Sequence, residues 1–300
     1  PEPYPSRAVT LVVNVAPGGG GDVLARLIGP KLAESMKQPF VVENKVGASG
    51  VIGADFVAKS APNGYTLLVV PNSYTISPAL YKNMPFDPVA DLAGVSRLAT
   101  TGYSFTVNPK TLPAKDVKEF IALVKANPGK YSYASSGSGT TVHLSGAAFA
   151  ARAGLDMVHV PYRGGAQAVS DVVGGHIDIV AATPSTILQQ AQAGRLRVLG
   201  ITAPARVPGI FAQSPTWREQ GIDSIASFWH AVIGPAGMTP AQVHYWEEML
   251  AQLAASEEWK KQLDDNYLTP QFMKSAAATK FLGVQHAELK SILTELGMAK

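Results

Sequence analysis

Short β-branched runs alternate with stretches whose apolar residues recur at helical spacing, the signature of α/β units on a mainly parallel sheet. Val9 to Val15 reads as a buried strand, ended by Ala16-Pro17 and four glycines. Asp22 is expected to cap a helix whose apolar positions include Val23, Leu24, Leu27, Ile28 and Leu32. Phe40 to Glu43 is a second strand, Gly47-Ala48-Ser49-Gly50 opens a helix running to Lys59, and Pro62-Asn63-Gly64 is a turn. Tyr65 to Val70 completes a βαβαβ half.

A second α/β unit follows the extended segment Arg97 to Val107. The pattern predicts helices near Val117–Ala126, Thr141–Ala153, Ala166–Val173 and Thr186–Ala193. Between them it predicts strands at Tyr131–Ser135, His159-Val160, Ile177–Ala181 and Arg197–Thr202. Beyond the Pro-rich stretch 204–215, Phe228 to Ile233 reads as a strand returning to the first unit, and the C-terminal third reads as helical. The expected division is residues 1–99 plus 226–300 as one lobe and 100–225 as the other. Crossings near Ser96–Tyr103 and Ser224–Trp229 imply a hinged clamshell that grips a ligand between lobes.

The composition narrows the class. At 300 residues, 46% hydrophobic and 16% charged, the chain can build two sizeable cores and is too apolar for a disordered chain. The net charge of +3 is spread without a basic block, which argues against nucleic acid as a partner. No apolar run reaches the roughly 18 residues of a membrane span. The absence of cysteine removes disulfides, thiolate metal sites and cysteine nucleophiles. The chain starts Pro1-Glu2-Pro3, without an initiator Met or a leader, so either a leader was cleaved or the chain was trimmed.

Four loops at predicted strand-to-helix junctions carry the candidate chemistry. The first is Ala16-Pro17-Gly18-Gly19-Gly20-Gly21-Asp22, where glycines let backbone N–H groups approach an anion at a helix start. It is neither a Walker A loop, lacking Gly-Lys-Ser/Thr, nor a dinucleotide fingerprint. The second, Ser135-Ser136-Gly137-Ser138-Gly139-Thr140-Thr141-Val142-His143, offers hydroxyls and amides. A hydrolase reading would use Ser138 as nucleophile and His143 as base. The G-x-S-x-G elbow is missing, however, and the spacing suits proton transfer poorly. The third, Pro161-Tyr162-Arg163-Gly164-Gly165, adds an arginine able to pair a carboxylate, and the fourth contributes Thr183 and Ser185. The six histidines form no metal-spaced set with one another or with carboxylates, so no metal and no cofactor are assigned. Trp229-His230, on the returning strand, reads chiefly as packing.

These residues resemble those of the Bug substrate-binding proteins of tripartite tricarboxylate transporters. The runs that carry the resemblance are VAPGGGGDVLARLIGPKLAE, PFVVENKVGASGVIGADFVAKSAPNGYTLL, SPALYKNMPFDPVADLAGVSRL, HVPYRGG with GGHIDI, AGRLRVLGIT, SPTWREQGI and IGPAGMTPAQV. They span nearly the whole chain in the family's order. The resemblance implies a type II periplasmic-binding-protein fold, with two Rossmann-like α/β lobes joined by two crossing strands. It also implies a periplasmic location with the signal peptide removed, and a small carboxylate gripped by backbone amides, hydroxyls and ordered waters of two loops, here 16–22 and 135–141. Val15, Ser73, Tyr74, Thr75 and Tyr103 join the four loops as expected ligand contacts.

The chain departs from the family where Asn14-Val15 replaces a Pro followed by an aromatic, and where Ala181-Ala182-Thr183 lacks an acidic or amide residue. The second departure disfavours an amino-acid ligand, whose ammonium would lack a partner. Tyr74, Tyr103 and Trp229 keep an aromatic acid open beside a dicarboxylate. The expected function is a monomeric receptor, not an enzyme, that delivers a small organic carboxylate to integral-membrane transporter subunits. A ligand sensor for a signalling partner and a serine hydrolase are the alternatives.

Overall fold

A computed structural model describes residues 4–203, 205–222 and 228–299. The chain divides into two compact units, residues 1–100 with 229–300 and residues 101–228. The expected crossing at Ser224–Trp229 lies in part, at 223–227, outside the described residues.

The first unit begins with β1 (Val9–Val13), α1 (Gly20–Met36), β2 (Phe40–Asn44), α2 (Val51–Ala58), β3 (Thr66–Pro71), the short α3 (Ser77–Leu80) and β4 (Leu92–Thr101). The second unit comprises β5 (Ser104–Val107), α4 (Val117–Lys125), β6 (Ser132–Ser135), α5 (Thr141–Ala153), β7 (Val158–Pro161), α6 (Gly165–Gly174), β8 (Ile179–Ala182), α7 (Pro184–Gln192) and β9 (Arg197–Ile201). The chain then returns to the first unit through β10 (Phe228–Pro235), α8 (Pro240–Ala255), α9 (Glu257–Asp265), β11 (Thr269–Met273) and α10 (Ser275–Glu295).

In the first unit six strands lie in the order β11-β4-β10-β3-β1-β2. β1 runs parallel to both β2 and β3, whereas β10 and β11 pair antiparallel. Leu11 and Val13 pack with Leu24, Ile28 and Leu32 of α1; Val12 packs with Val51, Ala54 and Val57 of α2. Alternate residues of one strand thus enter two cores, because helices cover both faces. Each fully buried Leu or Ile of α1 contributes about 1.5–3 kcal/mol.

The second sheet has the order β7-β6-β8-β5-β9. β6 is parallel to β7 and β8, and β5 is antiparallel to β8 and β9. Both sheets are therefore more mixed than expected. The core of this unit is aromatic: Trp217 packs its ring 4.1 Å from Phe105 and 4.7 Å from Phe149.

Two expectations need correction. The C-terminal third is not wholly helical, since β11 pairs with β4 around a bulge between Pro270 and Met273. An edge strand tolerates Pro because one side of its backbone needs no partner. Nor does Asp22 cap α1. The helix already starts at Gly20, with Gly19 as the N-cap, and Asp22 is its third residue.

Candidate functional site

In open α/β sheets ligands bind beyond the carboxyl ends of parallel strands. Here Asn14 and Asn72 follow β1 and β3 directly and Asn44 ends β2; none was selected as a site residue, because asparagine at a strand end reads as turn chemistry. Asn44 ties the first loop together. Its Nδ2 donates to Val15 O (3.0 Å) and to Asp22 Oδ1 (2.9 Å), and its Oδ1 accepts from Arg26 Nη2 (3.1 Å).

Asp22, 3% exposed, also accepts from Gly18 N–H and Arg26 Nε, each at 3.0 Å. Burial alone would raise its pKa, but the hydrogen bonds from Arg26, Gly18 and Asn44 outweigh that and hold it below the usual value. Its charge, which would oppose an anion at the start of α1, is balanced by Arg26. The loop turns through Gly18 at φ +81° and a Gly19 N–H to Ala16 O bond of 3.1 Å. The intrahelical ladder begins with Val23 N–H to Gly19 O, so the amides of Gly20, Gly21 and Asp22 precede it as anion donors. Half-buried Val15 packs beneath: a Cβ on Gly21 would stand 3.3 Å from Val15 Cγ2.

The 47–50 turn, also missed, holds Ala48, Ser49 and Gly50 in the left-handed region at φ +46°, +54° and +93°. Ser77 Oγ donates to Ser49 O (3.3 Å) and to Ser73 O (3.2 Å), joining this turn to the segment after β3. Thr75 Oγ1 donates internally to Asn72 O at 2.7 Å. Tyr74 is 4% exposed, its hydroxyl bonded to Pro88 O. Tyr74 and Thr75 also border a shallow groove against α10, where His286 Nδ1 meets Thr75 O at 2.8 Å.

In the second unit the expected residues converge. Ser135, fully buried, donates to Gly137 O (3.0 Å) and accepts from Gly137 N–H (3.2 Å). It also meets His159 Nε2 at 2.7 Å. Because the Ser135 hydroxyl hydrogen goes to Gly137, His159 serves as the donor there. His143 Nδ1 accepts from Gly139 N–H (3.0 Å), and its ring stacks on His159 at 3.7 Å with 7° between planes. Burial, then the neighbouring His159, pushes the His143 pKa down to about 4, and burial lowers that of His159. Both rings are neutral at pH 7. Thr140 caps α5, accepting from His143 N–H at 3.4 Å.

The adjoining loops meet this one. Tyr162 N–H donates to Ser135 O (3.0 Å), and Thr183 Oγ1 lies 3.1 Å from Ser185 Oγ and 2.8 Å from Thr186 Oγ1. A Cβ on Gly165 would stand 3.6 Å from Thr186 Cγ2, so the loop of Gly164 and Gly165 borders Thr183–Thr186. Ser136 is half-buried, and Ser138 and Arg163 are exposed. Tyr103 is 2% exposed, shares a hydrogen bond with Thr141 and packs 4.5 Å from Phe228.

Three expectations change. Tyr74, Tyr103 and Trp229, on which an aromatic acid rested, are each under 5% exposed and belong to the core clusters rather than to an open lining. His143 cannot serve Ser138 as a base through Nδ1, which already accepts from Gly139. A metal-like set does exist among the described residues, His244 with Glu247 and Glu248, one helical turn apart. Both carboxylates face the Lys274 ammonium, at 3.7 and 3.6 Å, whose single positive charge offsets part of their negative charge.

Comparison with known proteins adds the following. The family described as "Tripartite tricarboxylate transporter family receptor" matches residues 24–298. BugT of Bordetella pertussis is 36% identical over 240 residues, 79% of this chain and 73% of BugT. A solved structure described as a periplasmic transporter is 36% identical, with a TM-score of 0.93 over 99% of both chains. Rpa4515 of R. palustris, solved with adipate, is 28% identical with the same TM-score and coverage. Among the described residues no helix is long and apolar enough to cross a membrane.

Proposed function

The chain belongs to the tripartite tricarboxylate transporter receptor family, that of the Bug proteins, whose members are periplasmic solute-binding proteins and not enzymes; from that premise we propose that it captures a small aliphatic dicarboxylate in the periplasm and hands it to the membrane subunits of such a transporter. The observation that carries the carboxylate is the set of neutral donors at helix starts: the amides of Gly20, Gly21 and Asp22, and the half-buried Ser136 in the loop before α5. Such donors bind a carboxylate well once water is excluded. The pairing of Asp22 with Arg26 is what lets an anion approach the start of α1. Adipate in Rpa4515 favours a dicarboxylate, and the burial of Tyr74 and Tyr103 favours an aliphatic one.

A thermal-shift screen of succinate, glutarate, adipate, benzoate and aspartate tests the ligand class, because a ligand that binds only the folded state raises Tm. Aliphatic dicarboxylates are expected to give the largest rise. In calorimetry, Arg163→Ala should leave affinity within about threefold while Ser136→Ala weakens it about tenfold. The reading fails if no carboxylate shifts Tm, or if Arg163→Ala abolishes binding and Ser136→Ala does not.

A further inference from the structure

We propose that His143 and His159 are positioning residues for ligand capture, a stacked pair of imidazoles that clasps the loop before α5 at both ends and sets the Ser136 hydroxyl for a carboxylate. This rests on the carboxylate reading above and adds the device that holds its second-unit loop. His159 stands opposite Tyr133 in the β6–β7 register, its ring 4.9 Å from that of Tyr133 and 3.7 Å from that of His143. His143 is the third residue of α5, and its ring turns back toward the loop that precedes the helix.

Each ring holds one end of that loop. His159 Nε2 holds Ser135 Oγ, which in turn engages both the N–H and the carbonyl of Gly137. His143 Nδ1 holds the N–H of Gly139. Gly137 and Gly139 lie at φ +140° and +76°, where glycine is at ease, so without these bonds the loop has other shapes open to it. Between the two holds sits Ser136, half-buried, whose hydroxyl makes no hydrogen bond among the described residues.

The bonds dictate where the protons are. His143 Nδ1 accepts, so its hydrogen is on Nε2; His159 Nε2 donates, so its Nδ1 is bare. A proton on His143 Nδ1 would turn one N–H against another and release Gly139. Two imidazolium rings at this separation would also repel each other. The clasp therefore works with both rings uncharged, the state in which burial keeps them at pH 7.

Long-range proton–nitrogen NMR correlation at pH 7 should show both rings carrying hydrogen on Nε2 alone. Calorimetry with succinate, glutarate and adipate then separates hydrogen bonding from packing. His143→Asn sets an amide oxygen where Nδ1 stood and should weaken binding threefold at most. His143→Phe keeps a ring against His159 but offers no acceptor, and should weaken binding about tenfold. At the other end, His159→Gln replaces the Nε2 donor and should act like the asparagine variant, whereas His159→Phe should act like the first phenylalanine variant. A merely structural role would make affinity follow the Tm of the four variants, whatever hydrogen bonds they keep. That outcome, phenylalanine variants that bind like the native protein, or a ring with its hydrogen on Nδ1 overturns the clasp and leaves the carboxylate reading intact. If the native protein binds none of the three acids, that reading fails and this inference with it.

Discussion

Acidification should weaken the first unit before its carboxylates titrate, and His230 is the reason. It lies on β10, fully buried, and burial pushes its pKa from the usual 6.5 down to about 3. The folded state therefore holds the ring neutral, while the unfolded chain takes up a proton as the pH falls through 6.5. Stability is whole above that value and declines progressively toward pH 3. At roughly 1.4 kcal/mol per unit of displacement, the full loss is on the order of 5 kcal/mol. About 2 kcal/mol of it falls between pH 7 and pH 5, before Asp and Glu titrate. His143 adds a loss of the same sign in the second unit, smaller than its shift suggests because the ring is partly exposed.

Three of the four tryptophans, Trp229, Trp246 and Trp259, lie in the first unit, so fluorescence-detected urea unfolding at pH 7, 6 and 5 reports on it. His230→Gln should be less stable at pH 7 but should lose about 2 kcal/mol less on going to pH 5. A stability that stays flat in the native protein, or a decline that is undiminished in the variant, would refute the burial argument.

Gly53→Ala, in the interior of α2, would be stabilising by about 1 kcal/mol on helix propensity alone. It should instead destabilise by about 1–3 kcal/mol, because the new Cβ would stand 2.9 Å from Lys45 O and 2.8 Å from Asn14 Cβ; a Tm at or above the native value would contradict this. Zinc or another divalent cation should leave Tm unchanged despite His244, Glu247 and Glu248, since the Lys274 ammonium already occupies the space facing both carboxylates and would repel a cation. A saturable rise of several degrees that is lost in His244→Ala would show otherwise.

The parts of the fold that were legible were those governed by local pattern. β1, β3 and β10 are apolar runs with clear ends, and the glycine and serine loops stand at the junctions where the strands stop. β11 was hidden because five residues containing Pro270 do not read as a strand until β4 is there to pair with them. The start of α1 was misjudged because glycine carries little helix signal, so Gly20 and Gly21 read as loop. In the candidate site, Asn14, Asn44 and His159 were invisible for a different reason. Their partners, Gly50, Asp22 and Ser135, lie 36, 22 and 24 residues away, and nothing local distinguishes a strand-end asparagine that braces a loop from one that merely turns the chain. The pair Asp22–Arg26, by contrast, sits at i, i+4 spacing and was there to be read. Tyr74 and Tyr103 carry both an apolar face and a hydroxyl, so sequence alone did not separate core from lining.

The brace on the glycine loop also decides when its disorder is given up. Four consecutive glycines would, untethered, sample more backbone states than any other stretch of this chain. Asp22, holding Gly18 N–H while being held by Arg26 and Asn44, removes that freedom as the unit folds. An arriving anion then meets amides whose directions are already fixed, and little of its binding energy goes into ordering the loop. Loosening the brace would return that entropy to the free receptor, so a weaker Asp22 contact would show first as a less favourable entropy of association, while the enthalpy of the contacts finally made stayed nearly the same.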